Sequence, residues 1–190
     1  MSHGMLPAGP AIALTVVFAL SGLYCLWRVA AGRGQGIETV VDVNHILMSP
    51  AMLLMLWLPS TPGITWLQIA LFSALALVFF RHLAGVEGVT ARTGALLHGG
   101  MNLGMVWMLA AGTVGMAAMS GMSGMSGMDH AGQQTWTGLL SWSVVGLLLL
   151  SAAWWLARVA RAGGHRLLCC CHALTTGGMA AMLALMTPVL

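Results

Sequence analysis

The amino-acid sequence predicts an all-α integral membrane protein: six transmembrane helices arranged as three parallel helical hairpins about a pseudo-threefold axis, with both termini extracytoplasmic. Three observations predict it. The 190 residues are 59% hydrophobic and only 6% charged, against about a quarter charged in soluble domains, so water is not the main solvent of this chain. Six apolar segments approach the roughly 20 residues that cross a hydrocarbon layer about 30 Å thick. The basic residues, seven arginines and no lysine, fall in alternate connections. Together these describe one six-helix domain over residues 1–190, and the scattered arginines form no patch that would read as nucleic-acid binding.

The segments follow in order at about 10–30, 40–58, 64–82, 94–118, 137–158 and 168–187. The first has a full-length apolar run with no basic residue before it, so it reads as a span and not as a cleavable leader. Gly32, Gly34 and Gly36 around Arg33 break it from the second. Pro59, Pro62 and Gly63 separate the second from the third, and Gly85, Gly88 and Arg92 the third from the fourth. A polar Gly/Ser/Met stretch, 119–135, forms the fourth connection, and Gly163 and Gly164 the fifth. Arg28, Arg33, Arg81, Arg92, Arg158, Arg161 and Arg166 all belong to the first, third and fifth connections. Positive charge prefers the cytoplasmic side, which puts the termini and 119–135 outside a plasma membrane. Trp27, Trp66, Trp136, Trp142 and Trp155 read as interfacial belt residues, and Arg81, His82, Arg161, His165 and Arg166 as interfacial anchors.

A repeat lies in the even segments. The second carries His45, Met48, Met52 and Met55, and the fourth His98, Met101, Met105 and Met108, both as HxxMxxxMxxM. The sixth carries His172, Thr175, Met179 and Met182, differing at one position. At about 100° per residue these offsets keep all four side chains within a stripe about 80° wide. Met116 and Met119 continue the stripe of the fourth segment, as Met186 continues that of the sixth. The odd segments have no such pattern, which predicts even helices at the centre and odd helices toward lipid. Gly99, Gly100, Gly104, Gly177 and Gly178 permit close approach.

Thioether sulfur is a soft, uncharged ligand suited to Cu(I), and imidazole also accepts copper. Methionine on a membrane helix packs as readily as it ligates. Two matching copies, a partial third and the flanking residues favour ligation. Outside lie Met119, Met122, Met125 and Met128 in a three-residue period, then Asp129 and His130, with Met1, His3 and Met5 on the same side. Inside lie Cys169, Cys170 and Cys171 beside His172, with Glu38 and Asp42 before His45. The residues expected to hold metal are therefore the His/Met stripe, with weaker outer capture by Met116 to His130 and a weaker cysteine mouth within.

The helices carrying HILMSPAMLLMLW and HGGMNLGMVWM resemble an uncharacterised family of actinobacterial multi-pass membrane proteins, a likeness that supports the topology. The Met/His pattern also resembles the CTR-type copper-uptake proteins, trimers of three-helix subunits with Met-rich outer segments, an MxxxM pair on a pore helix and a Cys/His motif inside. Met48/Met52 and Met101/Met105 match that pair. Thr175, the six segments and a Cys/His cluster that opens a helix depart from it, which makes the likeness one of convergent chemistry.

The expected function is Cu(I) handling, as a passive conduit or relay. The alternatives are a copper-delivery or accessory subunit of a membrane respiratory oxidase, with a copper enzyme or copper chaperone as partner; a haem-binding protein using His45 with His98 or His172; or a metal-free structural subunit. No acid pair or nucleophile–base set accompanies the stripe, so an enzyme is not expected.

Overall fold

The computed structural model describes residues 8–58, 61–120, 130–161 and 166–187, excepting the side chains of 113–120 and 130–135. Among these residues are six α-helices and no strand: α1 (Ala8–Ala30), α2 (Ile37–Trp57), α3 (Pro62–Gly85), α4 (Val89–Ser120), α5 (His130–Arg161) and α6 (Arg166–Met186). Each helix lies over its predicted segment; all but α1 and α6 differ from it by more than two residues at an end, and α2 and α6 stop one residue short, at Trp57 and Met186. Helical hydrogen bonding continues through polar residues that an apolar count leaves out. Thus α2 begins directly after Gly36 and α4 directly after Gly88, whose φ values of 56° and 91° suit glycine. Pro62 opens α3 at the position where a missing N–H costs nothing.

The predicted 119–135 loop is shorter than expected. Met119 and Ser120 close α4 and His130 opens α5, so only 121–129 separate the two. Each of these helices has 32 residues, about 48 Å at 1.5 Å per residue, more than the ~30 Å of a hydrocarbon core. Met122, Met125, Met128 and Asp129 lie outside the described residues, as do Met1, His3 and Met5, and the side chains of Met116, Met119 and His130 are not described.

Among the described residues, five helices are long and apolar enough to cross a membrane. Over its fully described residues, 89–112, α4 is not among them, because His98, Asn102 and five glycines dilute its apolar run. Of the most apolar stretch of each helix, 50% is buried in α6 and 39% in α2, against 28% in α1, α3 and α5. Among these five, α2 and α6 are the more buried, as the odd–even expectation has it for those two helices. Leu20, Leu23, Leu67, Leu147 and Leu150 face outward, whereas Asp42, Asn44, His45, Asn102, Thr175 and Thr176 are fully buried. That distribution is the reverse of a water-solvated domain's.

The chain divides into two compact units, Met1–Ser60 with Leu149–Met182, and Thr61–Leu148 with Leu183–Leu190. In the first unit α1 buries Leu14, Phe18, Ser21, Cys25 and Arg28, spaced by three and four along one face. This face meets α2 antiparallel: Trp57 Nε1 donates to Thr15 Oγ1 at 2.8 Å, Gly22 lies against Ser49, and Arg28 Nε donates to Asp42 Oδ2 at 3.1 Å. A Cβ on Gly22 would fall 2.8 Å from Ser49, so glycine is required by the closeness of the two helices. The same face of α1 meets α6, with Phe18 and Leu14 against Gly178 and Ser21 Oγ 2.7 Å from Thr175 Oγ1.

In the second unit α3 packs on α4. Phe72, Ala76 and Phe79 are buried on α3, and Phe80 fills the space beside Gly99 on α4. Gly104 faces Val144 and Leu148 of α5, and Trp107 Nε1 donates to Ser141 Oγ at 3.1 Å.

Candidate metal centre

Each of the three repeat histidines is fixed by its own helix in the same way. Four residues beyond the histidine stands a small polar residue that donates back to the histidine's carbonyl. Ser49 Oγ reaches His45 O at 2.9 Å, Asn102 Nδ2 reaches His98 O at 2.8 Å, and Thr176 Oγ1 reaches His172 O at 2.7 Å. At about 40° from the histidine, these groups occupy the edge of the buried stripe and tie the histidine's carbonyl to the next turn of the helix. The sequence carries the signal as HILMS, HGGMN and HALTT. A serine, asparagine or threonine at the fifth place belongs to the repeat, and the His/Met pattern alone misses it.

Aromatic rings set the imidazole planes. Phe79 stacks on His98 with ring centroids 5.4 Å apart. Trp155 lies 4.5 Å from His172 and is only 6% exposed. It is therefore not the belt residue its sequence position suggests; its ring walls the centre. Trp27, Trp66, Trp136 and Trp142 are exposed, as expected.

Within the first unit His172 Nδ1 and His45 Nε2 stand 2.6 Å apart, both rings buried and their centroids 4.5 Å apart. One ring donates and the other accepts, the roles being set by the tautomers. Taken with His98, the group is larger: His45, His98 and His172 are all buried, and one ligand nitrogen from each lies within 4.8 Å of the others, an arrangement that can hold a metal ion. Metal–nitrogen bonds of about 2.0–2.1 Å in tetrahedral array would separate the nitrogens by about 3.3 Å, so the His45–His172 pair would open slightly to admit the ion.

The methionines continue the same buried helix faces. Met48 and Met52 on α2, Met105 on α4, and Met179 and Met182 on α6 are fully buried, Met101 and Met108 nearly so. Met55 is half-buried and Met186 exposed, so on α2 the stripe is fully buried only through Met52, whereas on α4 and α6 it stays buried to Met108 and Met182. Where the third copy departs, Thr175 is fully buried and donates to Cys171 O at 2.8 Å. Its one proton being committed there, Ser21 donates to it. Cys169 is buried, and Cys170 and Cys171 are half-buried.

The acidic pair expected at the inner mouth has another role. Asp42 is completely buried and bound to Arg28, which also reaches Glu38 at 3.5 Å. A buried guanidinium requires a counter-ion, and these carboxylates supply it. Arg28, 6% exposed, is accordingly an internal residue and not part of the surface charge that marks a cytoplasmic loop.

A family model described as a domain of unknown function, DUF5134, matches residues 37–186. The chain belongs to that family. The match starts at the first residue of α2 and ends at the last of α6, so the family segment contains all three histidine copies, whereas α1 precedes it. No curated protein and no solved structure matches the chain, and the likeness to copper-uptake proteins therefore rests on residue chemistry alone.

Proposed function

We propose that this DUF5134 protein resides in the plasma membrane, termini outside, and handles Cu(I) at the histidine centre as a passive conduit or relay rather than an enzyme. The observation that carries the reading is the set of three buried imidazoles with ligand nitrogens within 4.8 Å. Each stands on a helix whose buried face continues in methionine.

Charge supports a monovalent ion. Three imidazoles are neutral ligands, and Asp42, one turn before His45, is already held by Arg28. A divalent ion there would leave two uncompensated charges in a water-poor site, and Cu(I) leaves one. Imidazole and thioether both suit Cu(I), and weakly held steps let an ion pass without being trapped. Haem is disfavoured by the 2.6 Å approach of His45 and His172, which leaves no space for a macrocycle between them. The Met-rich 119–130 segment would serve capture outside, and the cysteine-bearing start of α6 would serve delivery to a copper chaperone or copper enzyme.

The test is copper content of the purified full-length protein loaded with Cu(I) under reductant against a competing chelator. His45→Ala, His98→Ala and His172→Ala should each weaken retention of one equivalent about a hundredfold, at or above the range for lost outer-shell partners. His82→Ala, on α3, should not. Equal retention in all four variants would remove the reading.

A further inference from the structure

The packing of α1 on α6 has a fixed antiparallel register. Phe18 faces Gly178 and Ser21 faces Thr175, so three steps forward on α1 answer three steps back on α6. Four steps further in each direction stand Cys25 and Cys171. All three α1 residues lie on its single buried face, and on α6 positions 171, 175 and 178 share a face by the same spacing. The register of α1 on α2 gives their depth. Gly22 lies against Ser49 and Arg28 against Asp42, which puts Cys25, midway between, level with His45. Cys171 directly precedes His172, so the two thiols and the bonded histidine pair occupy one layer of the first unit. Cys25 is fully buried and neither thiol is in a disulfide. Cys25 interacts electrostatically with Cys171 and is also hydrogen-bonded to Asp42, a bond that ion binding at the thiol would replace.

We propose that Cys25 and Cys171 form a second metal site, a two-thiolate clasp for a soft monovalent cation, Cu(I) or Ag(I), beside the histidine centre. Soft thiolates select such ions. Binding exchanges protons for the ion: one cation joins two thiols, forming two metal–sulfur bonds and releasing two protons, with no change of oxidation state. The resulting complex carries one negative charge. Arg28, a turn beyond Cys25 on the same buried face, is bonded to both Asp42 and Glu38 and so offsets that charge only in part. Of the cysteine run, Cys171 alone holds the helix position that faces Cys25; Cys169 and Cys170 stand about 200° and 100° away around α6. The site uses α1, which lies before the family-matched residues, and does not require the histidine centre to be occupied.

The experiment is near-ultraviolet spectroscopy of the full-length, reduced protein titrated with Cu(I). Thiolate-to-Cu(I) charge transfer absorbs there, and methionine or histidine coordination does not mimic it. The band should appear in the wild-type protein, fall at least tenfold in Cys25→Ser and in Cys171→Ser, and persist in Cys170→Ser. Cys25→Ala, which adds no polar atom to a buried position, should match Cys25→Ser, with circular dichroism confirming helicity. His172→Ala should keep the band while losing histidine-held copper, which separates this site from the function proposed above. The clasp is overturned if the wild-type protein shows no band, if the band survives Cys25→Ser, or if alkylation and mass analysis of the oxidant-free protein reveal a Cys25–Cys171 disulfide.

Discussion

The faces that α2 and α6 turn inward begin alike and then part. Both present a buried histidine and, four residues on, a hydroxyl that bonds its carbonyl. One turn past the histidine, α2 has Met48 and α6 has Thr175, both fully buried. The helices are also tied to α1 by different means: α2 by the Arg28–Asp42 ion pair, α6 by the Ser21–Thr175 hydrogen bond. What the copies share is therefore the histidine and its backbone clamp, and what they vary is the second layer. The difference teaches that the centre is the imidazole cluster, with methionine an adjunct that one copy exchanges for a packing contact.

The largest effect should come from breaking the α2 anchor. Arg28→Ala leaves Asp42 charged, buried and unpaired, a loss of about 3–5 kcal/mol. Thermal unfolding in detergent should show it as a large drop in the midpoint. Arg28→Met combined with Asp42→Leu should recover most of that loss, because a well-packed apolar pair substitutes for a buried ion pair at little cost. If the double variant is as unstable as Arg28→Ala, the pair has a role other than charge compensation.

The α6 anchor should be weaker. Thr175→Val removes one inter-helix hydrogen bond and leaves the Ser21 hydroxyl buried, costing about 1–2 kcal/mol. Thr175→Met makes a different comparison, since it completes the third HxxM copy. If the second layer contributes ligands, Cu(I) retention should rise several-fold in Thr175→Met despite the lost hydrogen bond. A fall in retention equal to that of Thr175→Val would reduce the methionines to packing.

The helices were legible because apolar runs of membrane length have few alternatives, and their ends were not, because Ser120 and His130 carry no apolar signal and Met119 opens a Gly/Ser/Met stretch that reads as a loop, yet all three continue the helices. The histidine register was legible from spacing alone, for a periodicity of 3.6 fixes which side chains share a face. Contacts between helices were not. Nothing in the run Trp154–Trp155 says which indole meets an imidazole, and only the packed structure shows that Trp155 walls His172. Arg28 looked like loop charge because it sits near a glycine turn; that it lies one turn past Cys25 on the buried face of α1 gives it its partner in Asp42. The small polar residue after each histidine was in plain view, but hydroxyls on membrane helices usually only satisfy their own backbone, and its recurrence gained meaning once all three bonded a histidine carbonyl.

That recurrence yields the smallest and most discriminating effect. Ser49→Ala and Thr176→Val each remove one side-chain bond to a carbonyl four residues back. Such bonds cost little to lose in a membrane helix, about 0.6 kcal/mol, so unfolding should barely change in either variant. The imidazole is held through that turn of helix, however, and outer partners of metal-binding histidines typically matter by 10–100-fold in affinity. Cu(I) retention should therefore fall about tenfold in both variants, and by the same factor, because the clamp is the part of the face that α2 and α6 share. A fall confined to Ser49→Ala would mean that only α2 carries the ion and that His172 is its hydrogen-bonding neighbour; a stability loss without a change in retention would mean that the clamp serves the helix and not the centre.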